Sequence, residues 1–287
     1  MEEILEKLYK YFNKSEVENL LVNFKNKQRA NIINNKFFAK IGKNIDKLFF
    51  DNLIKEREIY INNSENQHLP KMIDSYNDNN YCLIILERIN GQTIGKKRNE
   101  FNLKLNQNQR KNIINSVLNI KKITINGNLD NSYNRKERLE KYLEASKIFI
   151  SKITYNKINK IKDIIINEKY DRVVSHSDLI STNIIMDGDR IFFIDWEFIS
   201  YKPQFYDLIY FLLFSKVNNS IDILYKYNFD VDIQETLKDG IILCLKEIQN
   251  NAKLIGKIDE KIINKNIDRW KKELNNILRR FWLWRRY

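Results

Sequence analysis

Apolar residues recur at helical spacing through MEEILEKLYKYF, with charges on the opposite side, so the chain is expected to open on an amphipathic helix. VENLLVNF and ANIINNKFFAKIG then read as two strands joined by a polar turn, KNKQR, and the alternation in the second suits a half-buried sheet. KLFFDNLIKEREIYINN returns to helical spacing, and YCLIILERI is an apolar run of strand length that ends at Asn90-Gly91. From about Phe101 the pattern is helical in NQRKNIINSVLNIKKI and NRKERLEKYLEASKIFISKI, and again in FYDLIYFLLF, ETLKDGIILCLKEIQNN and IDRWKKELNNILRRFWLW. Between these lies SHSDLISTNIIMDGDRIFFIDWEF, which drives apolar β-formers straight into Asp195. The expected architecture is α+β: a small sheet-bearing lobe over residues 1–90 and a larger, mostly helical lobe over 91–287.

Composition narrows the class. With 287 residues and 43% apolar content, the chain is long enough to bury a sizeable core. Its two cysteines, Cys82 and Cys244, sit in apolar runs and are too few for a disulfide framework, which points to reduced thiols and a cytoplasmic protein. No secretory signal is read at the charged N-terminus and no apolar run reaches bilayer length. A net charge of +13 raises nucleic-acid binding. The basic residues, however, are spread along the chain among acidic ones rather than gathered in one stripe, so no specific nucleic-acid partner is expected.

A carboxylate at the end of a buried strand is costly unless it is hydrogen-bonded or holds a cation. His176-Ser177-Asp178 followed by Asn183, then by a strand that delivers Asp195, offers what phosphoryl transfer from a nucleotide requires. Asp178 would orient the acceptor hydroxyl and take its proton, while Asn183 and Asp195 would hold Mg²⁺, which prefers hard oxygen ligands. Taken singly, each residue reads more simply, as an Asx turn, a turn residue and a cap. Taken in this order, with IFFI between them, they favour the site.

The same segments, HSDLISTN and FFIDWEF, resemble the His-x-Asp-x-x-x-x-Asn and Ile-Asp-Trp/Phe-Glu segments of the aminoglycoside phosphotransferase and choline kinase superfamily. The resemblance implies a bilobal protein-kinase-like fold with Asp178 as catalytic base, Asn183 and Asp195 as magnesium ligands and His176 as a prop for the loop. It gives Asp207, in PQFYDLIYF, the part of bracing that loop. Ser177 and Trp196-Glu197 stand where protein kinases carry Arg and Phe-Gly, which argues against a phosphorylation-controlled activation segment. Lys40, a charge embedded in FFAKIG, is the candidate for the phosphate-pairing lysine, although edge strands also favour solvent-facing lysines. LIKEREIY resembles the family's aromatic-x-x-Glu-x-x-aromatic-Tyr pattern, which implies Glu56 as its helix partner, with Glu58 as the alternative. LERINGQTI resembles the connection between lobes, where main chain from Glu87 to Ile89 would meet the adenine edge. FKNKQRAN lacks the glycine that usually helps backbone approach phosphate, so its Lys and Arg are expected to contact the phosphates instead.

The acceptor is less defined. Trp196, Glu197, Tyr201, Phe205, Tyr206 and Tyr210 could hold a cationic amine, or could pack the core. Trp-Glu after the metal Asp resembles choline-kinase-like and bacterial surface-polysaccharide-associated members more than drug-resistance enzymes. RRFWLWRRY at the C-terminus suits weak contact with a membrane surface, or equally a last helix whose aromatics pack while its arginines snorkel. The function expected is ATP-dependent phosphoryl transfer, with GTP as the alternative donor, to a hydroxyl of choline, ethanolamine, an aminoglycoside or a sugar. The competing classes are a catalytically silent nucleotide-binding protein and a basic nucleic-acid or membrane-surface binder.

Overall fold

The computed structural model describes residues 1–25, 27–96, 105–126, 129–215, 223–224 and 229–284. The chain opens with α1 (Glu2–Tyr11) and continues into a second helix, α2 (Lys14–Phe24), where a strand was expected from VENLLVNF. The reason is legible in retrospect: Val17, Leu20, Leu21 and Phe24 fall at i, i+3, i+4 and i+7. Asn13 and Glu16 also form a capping box, each side chain accepting the other's backbone N–H at 2.9 Å. KNKQR therefore joins a helix to a strand. The hairpin lies wholly within the next segment, as β1 (Arg29–Ile33) and β2 (Phe37–Lys43), with the Asn34 side chain accepting the N–H groups of Lys36 and Phe37 at 2.8 Å.

After α3 (Lys47–Asn62) come β3 (Met72–Asn77) and β4 (Tyr81–Glu87), completing an antiparallel sheet of order β1-β2-β4-β3. The register sets Asn31 opposite Lys40, and Lys40 opposite Ile84. Because side chains alternate, Ala39, Ile41, Leu83 and Ile85 share one face, and they pack against Ile4, Leu8, Val17, Leu20 and Phe24 of the two helices. Each such Val, Leu, Ile or Phe contributes about 1.5–3 kcal/mol by burial. Arg29, Asn31, Ile33, Phe38 and Lys40 are left on the opposite face, where they line a cavity. On β2, Gly42 lets α3 approach: a Cβ there would stand 2.5 Å from a methyl of Leu53.

β5 (Gln92–Thr93) follows β4, and α4 (Gln107–Asn119) comes next. From Asp130 the chain forms α5 (Arg135–Ser146), α6 (Lys152–Lys160), α7 (Lys162–Ile166) and β6 (Arg172–Ser175). The segment after β6 carries β7 (Ile184–Asp187) and β8 (Arg190–Phe193), which join β5 in a second antiparallel sheet of order β5-β7-β8. Gly91 is required where this sheet begins, since a Cβ would meet the carbonyl oxygen of Met186 at 2.3 Å. β9 (Ser200–Pro203) pairs with β6, and α8 (Tyr206–Phe214), α9 (Ile233–Ala252) and α10 (Glu260–Trp284) follow.

Packing divides the chain into two compact units that interleave in sequence: Met1–Leu129 with His176–Ser200, and Asp130–Ser175 with Tyr201–Tyr287. This division by packing differs from the functional division at residue 90 set out above. In the second unit α9 packs against α5, α8 and α10. Apart from Asp207 in its first turn, α8 is largely apolar, and it is wholly buried, as a helix at the centre of a bundle must be. Arg135, 1% exposed, is held there by Asp239 and Glu235, and Asp239 also accepts the Tyr133 hydroxyl at 2.7 Å. No helix among the described residues is long and apolar enough to cross a membrane. Phe281 is fully buried and Trp282 half-buried, so RRFWLWRRY begins as a packed last turn, while residues 285–287 lie outside the described residues. Both cysteines are free and buried.

Candidate active site

Lys40 is a lysine only 6% exposed on a strand whose apolar neighbours could not by themselves keep it charged. Three carboxylates do. Its Nζ donates to Glu56 Oε2 at 2.7 Å, to Asp195 Oδ1 at 3.0 Å and to Glu197 Oε1 at 3.1 Å. Burial alone would push the ammonium down, but these partners hold it above the ordinary lysine range. Burial likewise works against ionisation of Asp195, yet Lys40, with His176 and Arg29 behind it, keeps this carboxyl below its usual range. Glu56, fully enclosed and beside two other carboxylates, is driven up by burial despite Lys40.

Glu56, not Glu58, faces the lysine: Glu58 lies two positions along α3 and pairs with Arg57 at 3.0 Å. Lys40 is not solvent-facing on an edge, because β2 is flanked by β1 and β4. The cavity over this face measures about 410 Å³ and is also lined by Glu87 and Ile89 where β4 ends, and by Asn183 and Asp195.

The loop that brings Asp195 to Lys40 is fixed at both ends. His176, fully buried, lies with its ring 4.6 Å from that of Trp196, and its Nε2 is 2.9 Å from the Ile194 carbonyl. Asn183 donates its amide to the Asp178 carbonyl at 3.0 Å, which leaves its carbonyl oxygen as the hard acceptor of that side chain. Asp178 itself is half-buried, and its backbone oxygen also accepts from Ile180 at 2.9 Å. Ser177 and Asp195 adopt left-handed backbone conformations, with φ of 65° and 66°. Asp207, in the first turn of α8, accepts the Ser175 hydroxyl at 2.8 Å. The structure thus gathers Lys40, Glu56, Asn183, Asp195, Glu87 and Ile89 around one cavity. Asp178 is not among the residues lining it; its main-chain carbonyl accepts the amide of Asn183, which is.

One residue of the cluster, Glu197, was not singled out for it from sequence. Glu197, read above as a possible acceptor contact, is buried against Lys40 and bonded to Arg29. Its carboxylate lies within 4.8 Å of those of Glu56 and Asp195, a grouping that could hold a cation. Arg29, in the loop-proximal part of β1, carries the one positive side chain of KNKQRAN that lines the cavity. Strand pairing is what places Arg29 there: it shares its face with Asn31, which is opposite Lys40. Trp196, Phe205, Tyr206 and Tyr210 are buried, as the packing alternative had it.

A sequence model of the phosphotransferase enzyme family (APH) matches residues 137–228. No curated protein matches the chain at a significant level. Similar solved structures include a choline/ethanolamine kinase family protein from Mesorhizobium loti, with a TM-score of 0.61, 12% identity and 88% of each chain covered. The GDP and kanamycin complex of APH(2")-IIia gives a TM-score of 0.61 at 12% identity, covering 92% of this chain and 99% of that one. Amicoumacin kinase hAmiN, solved with AMP-PNP, Ca²⁺ and Ami, gives 0.50 at 12% identity over 94% and 96%. The fold is therefore the protein-kinase-like one of aminoglycoside phosphotransferases and choline kinases, with an antiparallel-sheet part and a mostly helical part. The superfamily resemblance carried by HSDLISTN and FFIDWEF agrees with both comparisons.

Proposed function

We propose that this protein is a small-molecule kinase that transfers the γ-phosphoryl group of ATP to a hydroxyl of its acceptor. The observation that carries the reading is Lys40, buried beneath a cavity and bridging a helix glutamate to the aspartate that ends the IFFI strand. A structural ion pair needs one carboxylate. A lysine shared among three of them, on a cavity wall, is placed to meet phosphate oxygens when a nucleotide enters. Glu56 positions Lys40, and main chain at Glu87 and Ile89 takes the adenine edge. Asp178 accepts the proton of the acceptor hydroxyl as its oxygen bonds to the γ-phosphorus and the bond to ADP breaks.

The oxygens present suit magnesium. The Asn183 amide oxygen and the Asp195 carboxylate are a hard, sparse donor set of the kind that ion takes when phosphates complete its shell. When bound, magnesium neutralises phosphate charge and holds the chain's oxygens and the nucleotide's in one frame. Residues 1–90 supply most of the nucleotide contacts, and the segments after residue 91 supply Asp178, Asn183 and Asp195.

Calorimetric titration of the protein with Mg·ATP, followed by nucleotide-consumption assays with choline, ethanolamine, aminoglycosides and simple sugars, tests donor and acceptor together. Mg·ATP is expected to bind, and Asp195→Ala is expected to abolish magnesium-dependent binding, because it removes the charged ligand. Unchanged Mg·ATP affinity in a folded Asp195→Ala protein would remove Asp195 from this role.

A further inference from the structure

A second buried lysine has the opposite surroundings to Lys40. Lys202, on β9 in the helical unit, is 7% exposed. Its Nζ stands 5.0 Å from the ring centroid of Tyr133 and 5.9 Å from that of Tyr206. Arg138, one turn into α5, places its guanidinium carbon 4.5 Å from the same Tyr133 centroid. Among the described residues the side chains of Lys202 and Arg138 make no hydrogen bond or ion pair. A third cation, Arg172, lies 6.0 Å from that ring but is engaged by Glu168 and Asn131.

Tyrosine faces can cradle cations, but they satisfy none of the three N–H donors of an ammonium or the five of a guanidinium. Burial, reinforced by Arg138, brings Lys202 down to about 8, although Asp130 and Asp207 pull the other way. Lys246 adds to the positive field. The cluster is thus an excess of positive charge with unmatched donors on an aromatic floor.

We propose that Lys202 and Arg138, over Tyr133, form an oxyanion-binding site that takes a carboxylate or phosphate group of the phosphoryl acceptor. The assignment to the acceptor rests on the phosphotransferase reading above. β9 pairs with β6, whose last residue, Ser175, leads directly into His176-Ser177-Asp178, so Lys202 is on the strand beside the one that runs into that loop. An ammonium and a guanidinium that both lie against the Tyr133 ring suit an oxyanion, the guanidinium in a two-pronged manner. The same charges repel choline, ethanolamine or a polycationic aminoglycoside at this site, leaving an acidic acceptor, such as a sugar acid or a sugar phosphate, as the favoured class.

The test uses the full chain. Inorganic phosphate and, separately, acetate are titrated calorimetrically into wild type, Lys202→Met and Arg138→Met, with and without saturating Mg·AMP-PNP. Saturable binding of at least one anion to wild type is expected. It should weaken at least tenfold in both variants, with Mg·AMP-PNP affinity unchanged. The stronger of the two anions tells a phosphate-bearing from a carboxylate-bearing acceptor. Lys202→Met should also melt at a higher temperature than wild type, because an unpartnered buried charge is replaced by an apolar chain of similar length. Absence of saturable anion binding, binding in both variants as tight as in wild type, or a lower melting temperature for Lys202→Met would each overturn the proposal. Failure of wild type to bind Mg·AMP-PNP counts against the kinase reading instead, and leaves the anion result to be judged by itself.

Discussion

Ser177 and Asp195 hold φ of 65° and 66°, a conformation that costs a residue with a side chain about 1–2 kcal/mol. Both flank the segment that carries Asp178 and Asn183, so local stability has been given up to aim particular groups. Asp178→Ala is expected to leave Mg·ATP binding intact and to lower turnover by about two to four powers of ten, the range for losing a positioned base. Turnover near wild type in a folded variant, measured at saturating nucleotide, would take Asp178 out of the role. Lys202 gives a pH signature. Its folded value of about 8 lies below the ordinary 10.5, so between these limits the unfolded chain holds a proton the native one has shed. Stability should therefore rise as pH goes from about 8 to 10.5, by on the order of 1–3 kcal/mol, and Lys202→Met should lack that rise in urea denaturation. Asp178, Asn183 and Asp195 could be named from sequence because their order along the chain is itself the pattern. Glu197 and Lys202 could not, since what distinguishes them is which residues lie beside them in the fold.

At the scale of elements, most helices and β4 follow from periodicity and length alone. VENLLVNF shows where that reasoning slips: eight residues rich in Val, Leu and Phe suit either state, and the decision was made by Asn13 and Glu16 just upstream. The boundary of the hairpin moved with it, although the Lys40 strand stayed where it was expected. α5 and α9 are tied by Arg135, whose Nη2 lies 2.6 Å from Asp239 Oδ2 with both groups 1% exposed. Arg135→Met should cost about 3–5 kcal/mol, because Asp239 and Glu235 are left buried without their cation. Chemical denaturation measures it. A loss below about 1 kcal/mol would mean that water or another group reaches those carboxylates.

For the molecule as a whole, the net charge of +13 invites a polyanionic partner, yet the buried Lys40 is spent on internal carboxylates. Binding to mixed DNA or RNA is expected to be weak, to fall with salt, and to be indifferent to Lys40→Ala and Asp195→Ala, whereas Mg·ATP binding should depend on both. Filter binding across a salt series decides this. Tight binding at physiological salt with no Mg·ATP affinity would overturn the kinase proposal. The two-part fold was legible from the shift in periodicity near Phe101; the interleaving of its units was not, because no local pattern says that residues 176–200 pack with the N-terminal sheet.

That interleaving has a consequence for how the protein is made. Lys40 and Asp195 are 155 positions apart, so on a ribosome adding roughly 5–20 residues per second the lysine waits roughly 8–30 s for the aspartate. During that interval the sheet has only Glu56 to offset a charge it is about to enclose, and a nascent chain halted at residue 129 would carry an unfinished wall. Synthesis rate, and the holdase chaperones that shelter emerging chains, should therefore govern the yield of native protein more than the stability of the finished fold does.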